Sequence, residues 1–501
     1  MRRERLWVLA LLGLFFAVNL ALLTRFPLVH SDESWLAGLT RSMMESGSPA
    51  VTEPFFDLKP RYPHAIKVLF HIMQMPFLRI FGHGAFAARL LSLVAGTLAL
   101  WLFYRCCREM APFKLSLAAT VLASLSAQFL FASHTARQEV LLLASGLLLT
   151  LMLLRSREIT PRRAASLAVV AGLSVGIHPN SVLAALGVGL AMLFSRPARI
   201  RPLLTYIALT GAIALVFVGL SFLFDPEFPL HYRMYAESEF DLMVSPLDKL
   251  REFPYYIEKL WHGVSGTYVL PDLRAELLLI PALSIGSAVR FVRKREPAFP
   301  VLFGMVLGAA AGTVLIGRYN QLSAVLWMFP CLLLIPPLVR GLRFRSAALA
   351  LVSAVFAFSA ARSVAPALRW RYGDYLGRIA EYVGPGERTL GNLNAGFYFE
   401  SGALLDVRNL AYLKENGMSF AEYISSRGIE VILWSDEMDF IHDRRPTWNI
   451  VYGNPRYVGE AEAFFRDRCV LAGEFESPGY AVRIAPEIGK PYRVRVYRVE
   501  S

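Results

Sequence analysis

Charge and cysteine are scarce in this sequence, and their scarcity excludes two classes of protein. Charged residues make up 18% of the 501 residues and hydrophobic residues 55%, and the mean hydropathy is +0.44. This composition is too apolar for a soluble globular protein and indicates a polytopic membrane protein. Three of the four cysteines lie in or beside apolar runs, so neither a disulfide framework nor a cysteine-based metal site follows.

The basic residues are too scattered for a nucleic-acid-binding surface. Although the net charge is +13, lysines and arginines occur in short clusters between apolar runs and not in one basic segment. We therefore expect no nucleic acid partner. The clusters instead carry information about membrane topology.

Apolar runs long enough for a helix to cross a hydrocarbon core of about 30 Å recur along the chain. They predict eleven transmembrane helices, at residues 7–23, 85–104, 115–133, 140–154, 164–177, 182–194, 203–224, 275–292, 300–316, 322–339 and 347–361. The first run follows basic residues as a signal peptide does, but its length and the lack of a small-residue cleavage site predict a retained helix. The fifth and sixth runs are short and could form one broken unit.

Six clusters of basic residues fall on one side of the membrane if the eleven helices alternate in direction. They lie at residues 2–5, 105–114, 155–163, 196–201, 290–295 and 340–345. The positive-inside rule makes this side, with the N-terminus, cytoplasmic. The first outer loop (25–84), a later loop (225–273) and the C-terminal segment (363–501) are then extracytoplasmic.

The chain divides into a transmembrane domain, 1–362, and a C-terminal segment of different character. Residues 363–501 mix evenly spread charges with strand-like runs at 430–434 and 492–497 and a helix at 420–426. This pattern predicts an α/β domain of ordinary size.

Two amphipathic helices are predicted in the first outer loop. Residues 65–81 carry apolar side chains at helical spacing with Lys67, His71 and Arg79 among them. That pattern is too polar to span a membrane but suits its interface. Residues 34–44 suit a second such helix, with Asp32 and Glu33 at its N-terminal end, where partial positive charge favours ionised carboxylates.

Ionisable groups gather at the outer ends of the predicted helices, whose interiors are nearly free of charge. The groups are Asp32, Glu33, Lys59, Arg61, His64, Arg89, His134, Arg137, Glu139, His178, Arg318 and Tyr319. A carrier usually needs polar groups near the bilayer midplane. This distribution instead favours chemistry at the outer surface on a lipid-borne substrate.

A carboxylate near several arginines supplies the groups that catalyse transfer of a sugar from a lipid phosphate to a hydroxyl group. Cations make the phosphate an acceptable leaving group, and the acceptor hydroxyl then needs a base. Asp32 is the candidate base. Arg137 and Arg318 have the planar guanidinium geometry that suits a phosphate.

The same arginines also have a purely structural interpretation. Arg89 and Arg318 could extend from helix ends so that their charges reach water. Arg137 and Glu139 are two residues apart, would not share a helix face and need not pair.

The histidines have structural interpretations as well. The sequence His178-Pro179-Asn180 is typical of a turn that separates two helices. His64 and His71 share a helix face but lack a nearby third ligand, which argues against a metal site there.

Several short elements, in this order, resemble the GT-C superfamily of membrane glycosyltransferases. They are one N-terminal span, Asp32-Glu33, a Lys-Pro or Pro-His element, Ile80-Phe81-Gly82, Ala88-Arg89-Leu90-Leu91, Ala136-Arg137-Gln138-Glu139, and Arg318-Tyr319 with Phe329-Pro330. More narrowly they resemble the protein O-mannosyltransferase and aminoarabinose (lipid A) transferase branch, from which Gln138 departs by replacing a proline. The resemblance covers about the first 360 residues.

The resemblance implies a polyprenyl-phosphate sugar as donor, Asp32 as base and Glu33 as a group that helps to orient the acceptor. Residues 55–60 resemble the Phe-Glu-Lys-Pro element of the family with one inserted residue, while residues 62–64 could occupy the same place. One of Lys59, Arg61 and His64 is therefore the expected phosphate cation. The predicted substrate site also contains Arg137, Glu139, Arg318 and Tyr319.

The displacement mechanism requires no cofactor. The acid pair beside His30 could hold a divalent cation, as a likeness to the oligosaccharyltransferase branch would allow.

The sequence therefore predicts a mainly helical, multi-pass membrane glycosyltransferase. It would move a hexose or pentose, with inversion, from polyprenyl phosphate to a lipid, glycan or protein acceptor of the cell envelope. A second hypothesis is a lipid or solute transporter or flippase, which requires a polar path through the midplane. A third is a non-enzymatic envelope scaffold, in which Asp32 would be dispensable.

Overall fold

The described part of the chain is mainly helical. A computed structural model describes residues 2–58, 61–156, 158–195, 200–240, 245–263, 269–294, 298–317, 319–439, 456–477, 479–480 and 491–500. Its helices are α1 (Arg2–Leu22), α2 (Ser31–Ser46), α3 (Val68–Phe81), α4 (Ala85–Met110), α5 (Phe113–Ser124), α6 (Ala127–His134), α7 (Glu139–Leu154), α8 (Pro161–Leu173), α9 (Val182–Phe194), α10 (Ile200–Phe224), α11 (Phe228–Phe240), α12 (Pro246–His262), α13 (Arg274–Lys294), α14 (Ala298–Ile316), α15 (Val325–Cys331), α16 (Ile335–Val339), α17 (Arg345–Val364), α18 (Tyr372–Ala380), α19 (Phe420–Ser426) and α20 (Arg456–Arg468).

The described ranges contain seven helical segments that are long and apolar enough to cross a membrane, or eight if the bent pair of α5 and α6 counts as one. The predicted count of eleven is therefore not confirmed. The other three predicted spans coincide with α7, α8 and α9, which have 16, 13 and 13 residues. The turn at His178-Pro179-Asn180 separates α8 from α9, as the sequence predicts.

The predicted span 115–133 is broken. Helices α5 and α6 meet at an angle of 64°, and Ser126 begins α6 by accepting a hydrogen bond from the Phe129 amide at 3.2 Å. A serine cap at this place satisfies an amide that the break would otherwise leave unpaired. The break directs the end of α6 towards the acid pair of the first loop.

Helices α9 and α14 pack closely through small residues. Gly304 and Gly308 of α14 lie against Ala191 and Gly187 of α9, and a Cβ atom at Gly308 would meet the Gly187 backbone at less than 3 Å. Small residues at this spacing let two helix backbones approach, which is how membrane helices commonly associate.

The described residues between 372 and 500 contain a mixed sheet of five strands. The strands are β1 (Thr389–Gly391), β2 (Leu404–Asp406), β3 (Val431–Ser435), β4 (Cys469–Ser477) and β5 (Tyr492–Val499), in the order β2-β1-β3-β5-β4. Strand β1 runs parallel to β2 and β3, and β5 runs antiparallel to β3 and β4. Helices α19 and α20 pack on one face and α18 on the other. The predicted helix 420–426 and strands 430–434 and 492–497 are confirmed.

The carboxyl ends of the parallel strands face the first loop. Ser34 of α2 donates its hydroxyl to the Leu393 carbonyl at 2.6 Å, and the Asn409 side chain accepts from the amides of Asp57 and Leu58 at 3.1 and 3.3 Å. This edge of an open α/β sheet usually forms a ligand crevice. Here it holds α2 in place.

Candidate active site

The acid pair lies in the first turn of α2, where the local sequence starts the helix. His30 is the N-cap: its Nδ1 accepts from the Asp32 amide at 3.1 Å, and its amide donates to Glu33 Oε1 at 2.9 Å. These reciprocal bonds form a capping box. The predicted place of Asp32 and Glu33 at a helix N-terminus is confirmed.

Glu33 is fully occupied by structural contacts. Arg89 Nε donates to its Oε2 and Nη2 to its Oε1, both at 2.7 Å, and both side chains are 0% exposed. The Ala136 amide donates to Oε2 at 2.8 Å. Arg89 Nη1 donates to the carbonyls of Leu23 and Pro27 at 2.8 and 2.9 Å. The interpretation of Arg89 as a helix-end residue that reaches water is therefore wrong.

Asp32 is the accessible acid. Its side chain is 20% exposed and pairs with Arg137 Nη1. Arg137 also contacts Glu139, with Nη2 3.2 Å from Oε1 and Nε 3.4 Å from Oε2. The argument that these two residues need not pair fails because α7 begins only at Glu139. Arg137 lies in the turn before it, where helix-face spacing does not apply.

Two residues that sequence reasoning missed extend this polar chain. Ser323 Oγ donates to Glu139 Oε1 at 3.5 Å, and Asn180 Nδ2 donates to Ser323 Oγ at 3.1 Å. Asn180 belongs to the predicted turn between α8 and α9. Asp32 therefore contacts Arg137, Ser323 contacts Glu139, and Asn180 joins this chain through Ser323.

Helix α6 positions Arg137, and a buried acid holds its start. Glu276 Oε1 accepts from the Ala127 amide at 2.8 Å, and the Gln128 amide nitrogen Nε2 donates to the Gln321 carbonyl at 3.0 Å. One end of α6 is thus fixed to α13 and to the loop after α14. Glu276 also escaped the sequence interpretation, although a carboxylate at the start of an apolar span is a recognised signal of a specific role.

Arg61 stacks on an aromatic pair beside α2. Its guanidinium lies 4.8 and 4.9 Å from the ring centroids of Trp35 and Phe56, and its Nε lies 3.7 Å from Glu53 Oε1. Arg408 of the C-terminal segment approaches the same two rings at 4.8 and 4.2 Å. Trp35 lies one turn beyond the acid pair, so Arg61 is close to the start of α2.

His64 is not a cation in this structure. Burial, together with the charge of Lys67, lowers the pKa of His64 to about 3, so the imidazole is neutral near pH 7. Lys67 itself has a φ of +91°, the one positive value among the described non-glycine residues. Strain of this kind costs about 1–3 kcal/mol and is concentrated at functional sites.

Tyr319 lies in a packed aromatic group. Its hydroxyl donates to the Lys249 carbonyl, and its ring stacks on Tyr256 with centroids 5.1 Å apart. The Tyr256 hydroxyl donates to the Asn320 carbonyl at 3.0 Å. These bonds join α12 to the loop after α14. The two remaining predicted site residues, Lys59 and Arg318, lie outside the described residues.

Within the described ranges, no group of three or more His, Cys, Asp or Glu side chains is arranged to hold a metal ion. His71, one of the two histidines considered for a metal, has its Nδ1 2.8 Å from Thr40 Oγ1. Asp32 and Glu33 direct their carboxylates towards separate arginines.

Comparisons with known proteins agree with this architecture. The model of the dolichyl-phosphate-mannose-protein mannosyltransferase family matches residues 67–222. The comparison with curated proteins found no match.

Solved structures match most of the chain at low identity. ArnT from Cupriavidus metallidurans bound to undecaprenyl phosphate is 16% identical, with 85% of this chain and 95% of that chain covered and a TM-score of 0.44. The oligosaccharyltransferase of Archaeoglobus fulgidus in complex with zinc and sulfate is 13% identical, with 95% and 73% covered and a TM-score of 0.55. The archaeal oligosaccharyltransferase AglB from the same organism, in complex with an inhibitory peptide and a dolichol-phosphate, is 12% identical, with 97% and 75% covered and a TM-score of 0.55. The chain shares the fold of these oligosaccharyltransferase structures, and the family model over residues 67–222 confirms the predicted resemblance to membrane glycosyltransferases.

Proposed function

We propose that this protein transfers a sugar from a polyprenyl-phosphate donor to a hydroxyl group of a cell-envelope acceptor, with Asp32 as the base. A solved structure of this fold, the archaeal oligosaccharyltransferase AglB, is in complex with a dolichol-phosphate. The family model that matches residues 67–222 describes mannosyltransferases with a dolichyl-phosphate donor. A lipid-phosphate sugar is therefore the donor class that agrees best with both comparisons.

The different surroundings of the two neighbouring acids carry the assignment of the base. Glu33 accepts four hydrogen bonds from Arg89, His30 and Ala136 and is 0% exposed. A carboxylate so occupied cannot take a proton from a substrate at low cost. The Asp32 side chain is 20% exposed, so Asp32 is the acid that an acceptor hydroxyl can approach. Glu33 then acts as a positioning residue and not, as the family resemblance implied, as a group that orients the acceptor.

Arg137 is the best-placed phosphate ligand among the described residues. Its planar guanidinium lies between Asp32 and Glu139, and a phosphate would present the same kind of oxygen pair to it. When the donor phosphate binds, Arg137 can exchange its contact with Asp32 for the phosphate, which releases the carboxylate for catalysis. Glu139 keeps the guanidinium oriented during that exchange.

Transfer then takes place in one displacement. The acceptor oxygen attacks the anomeric carbon while its proton passes to Asp32, and the bond from that carbon to the phosphate oxygen breaks. The polyprenyl phosphate leaves with the bonding electron pair, and Arg137 stabilises its added charge. A single in-line displacement inverts the anomeric centre.

Arg61 is the second phosphate cation in this proposal. It remains charged at any physiological pH, whereas His64 is neutral because its pKa is lowered to about 3. Lys59 and Arg318 remain proposed phosphate ligands only because of the sequence resemblance. Tyr319, whose hydroxyl is engaged by Lys249, would contribute through its ring.

The reaction belongs at the outer face of the membrane in this proposal. The basic clusters predict a cytoplasmic N-terminus and an extracytoplasmic segment 363–501. Ser34 of α2 contacts Leu393 and Asp57 of the first loop contacts Asn409, so this segment lies beside the acid pair. The proposed domains remain 1–362 for catalysis and 363–501 for an extracytoplasmic α/β domain.

The test is sugar transfer in proteoliposomes with a panel of radiolabelled polyprenyl-phosphate sugars and membrane lipid extract as acceptor source. Asp32→Asn should lower turnover by about 10²–10⁴, the usual contribution of a general base, with unchanged protein yield. Asp248→Asn, which changes an exposed acid of α12, is the matched control. Equal turnover in wild type and Asp32→Asn would remove Asp32 from the mechanism, and lack of transfer from every donor would argue against the function.

A further inference from the structure

A cavity of about 500 Å³ lies beside the first loop. It is bounded by residues 26–28, the end of α12, the start of α13 and the end of α17. The volume is that of an ordinary small-ligand site. The side chains of Asp32, Glu33, Arg89 and Arg137 are not among its lining residues.

The walls of this cavity are of two kinds. Phe26, Leu270 and Pro366 supply apolar surface, and Trp261 lies at the end of α12. Tryptophan is typical of the level at which a membrane meets water. The apolar part of the wall is therefore suited to the first carbons of a lipid and not to a fully hydrated molecule.

The polar wall carries two arginines at the ends of predicted spans. The side chain of Arg274, at the start of α13, is 44% exposed, and that of Arg362, at the end of α17, is 60% exposed. Arginines at this level lie where lipid phosphates lie. Both side chains can present guanidinium nitrogens to a ligand in the cavity.

Asp272 is the one carboxylate among the described lining residues, and it does not balance both cations. Its Oδ2 lies 2.6 Å from Arg274 Nη2 but 3.7 Å from Arg362 Nη1. Its backbone is fixed to α17, because the Ser363 hydroxyl accepts from its amide at 2.9 Å and the Ser359 hydroxyl donates to its carbonyl at 2.6 Å. The cavity thus has a net positive wall, and the longer ion pair is open to exchange with an anion.

The cavity is also tied to the acid pair. Arg89 donates to the carbonyl of Pro27, which lines the cavity, and to the carboxylate of Glu33, which lies in the first turn of α2. One guanidinium therefore bridges the cavity wall and the residue next to Asp32.

We infer that this cavity binds a lipid acceptor through a phosphate group in its headgroup, which Arg274 and Arg362 hold. That the bound lipid is an acceptor rests on the proposed function. That the cavity binds a phosphate-bearing lipid rests on the cavity alone. It selects one acceptor class, an anionic membrane lipid, from the lipid, glycan and protein acceptors that the sequence allows.

The binding test uses the full chain in detergent micelles and dioleoyl phosphatidate as a phosphate-bearing lipid. Binding of radiolabelled phosphatidate should exceed that of phosphatidylcholine, and the double variant Arg274→Gln/Arg362→Gln should weaken it by about tenfold or more, the usual effect of losing charge-assisted hydrogen bonds. Asp272→Asn should tighten it, because the carboxylate no longer competes for the arginines. If Arg274, Arg362 and Asp272 had only a structural role, Asp272→Asn would not increase the affinity for phosphatidate. Arg251→Gln, at an exposed arginine of α12, is the control.

The outcomes separate the inference from the proposed function. Equal binding of phosphatidate and phosphatidylcholine, or unchanged binding in the double variant, overturns the site. Competition by inorganic phosphate at the same concentration as the lipid overturns its lipid character. In the transfer assay the double variant should raise the acceptor KM and leave the donor KM unchanged. Phosphatidate binding without any such change overturns the acceptor role, and the binding result stands whether or not any donor supports transfer.

Discussion

Arg89 and Glu33 form a bidentate ion pair that solvent does not reach, with both nitrogen-to-oxygen distances at 2.7 Å and both side chains 0% exposed. A buried pair of this kind is rarely a large source of net stability, because each charge has lost its hydration. Its value here is geometric. It fixes the start of α2, and with it Asp32, against α4.

Glu33→Gln should therefore destabilise the protein more than Asp32→Asn does. The substitution leaves the Arg89 charge buried without its partner, which costs about 3–5 kcal/mol, whereas Asp32 is partly exposed. Thermal unfolding in detergent measures the difference. The double variant Glu33→Gln/Arg89→Met removes both charges and should recover part of the loss. If Glu33→Gln unfolds at the wild-type temperature, the positioning role assigned to Glu33 is wrong.

Glu276 should be required for the placement of Arg137. Its Oε1 accepts hydrogen bonds from the Ser126 hydroxyl and the Ala127 amide, so Glu276→Ala leaves these two buried donors without that acceptor, at a cost of about 1–3 kcal/mol. Glu276→Gln retains one carbonyl acceptor and should cost less. Both effects can be followed by thermal unfolding and by equilibrium binding of a polyprenyl phosphate. Equal behaviour of the two variants would argue that the cap is dispensable.

The glycines of α14 offer a test of the close packing with α9. Gly308→Ala places a Cβ atom against the Gly187 backbone at less than 3 Å, and overpacking of this kind costs about 1–3 kcal/mol. Gly219→Ala in α10 is the control, because nothing lies within 4 Å of its added Cβ and alanine favours a helix by about 1 kcal/mol. The unfolding temperature should fall for the first variant and hold or rise for the second.

Much of the fold was predictable because apolar length and helical periodicity are local properties of the sequence. The helices at 65–81 and 420–426 and the strands at 430–434 and 492–497 were expected from such patterns. The break between α5 and α6 was not, because it depends on the Ser126 cap and on Glu276, which is 150 residues away in the chain. A hydropathy average over residues 115–133 does not detect the effect of the Ser126 cap or of Glu276.

The site was predictable as a set of residues but not as a set of pairs. Charged residues at span ends identified Asp32, Glu33, Arg89, Arg137 and Glu139 as a group. Which acid pairs with which arginine is decided by tertiary structure, and helix-face spacing misled for Arg137 because that residue precedes its helix. Likewise, no local pattern indicates that α2 rests on the edge of a sheet through Leu393, which lies 359 residues after Ser34.

His83 should make stability fall as the pH falls. Burial, followed by the charge of Arg41, lowers its pKa from 6.5 to about 3, and its ring lies 5.3 Å from that of Phe397. The unfolded chain takes up the proton first, so the stability supplied by neutral His83 is complete above pH 6.5 and is lost as the pH falls from there towards 3. The loss is about 1.4 kcal/mol per pH unit.

His83→Gln removes this titration while it keeps a neutral polar side chain. Thermal unfolding of both proteins from pH 7.5 to 4.5 should give curves that converge at low pH, with the wild type losing its advantage. A constant difference across this range would mean that His83 is protonated equally in the folded and unfolded states.

Arg137→Lys tests whether the guanidinium geometry, and not charge alone, binds the donor phosphate. Lysine keeps one positive charge but cannot contact Asp32 and Glu139 through separate nitrogens of a planar group. We expect the affinity for a polyprenyl phosphate, measured as product inhibition of transfer, to fall about tenfold, which corresponds to ~1.4 kcal/mol. Arg155→Lys, at a partly exposed pair with Glu109, controls for the general effect of this exchange. If polyprenyl phosphate inhibits the Arg137→Lys variant as strongly as it inhibits the wild type, the phosphate is bound by other residues. Arg61 is then the next side chain to change.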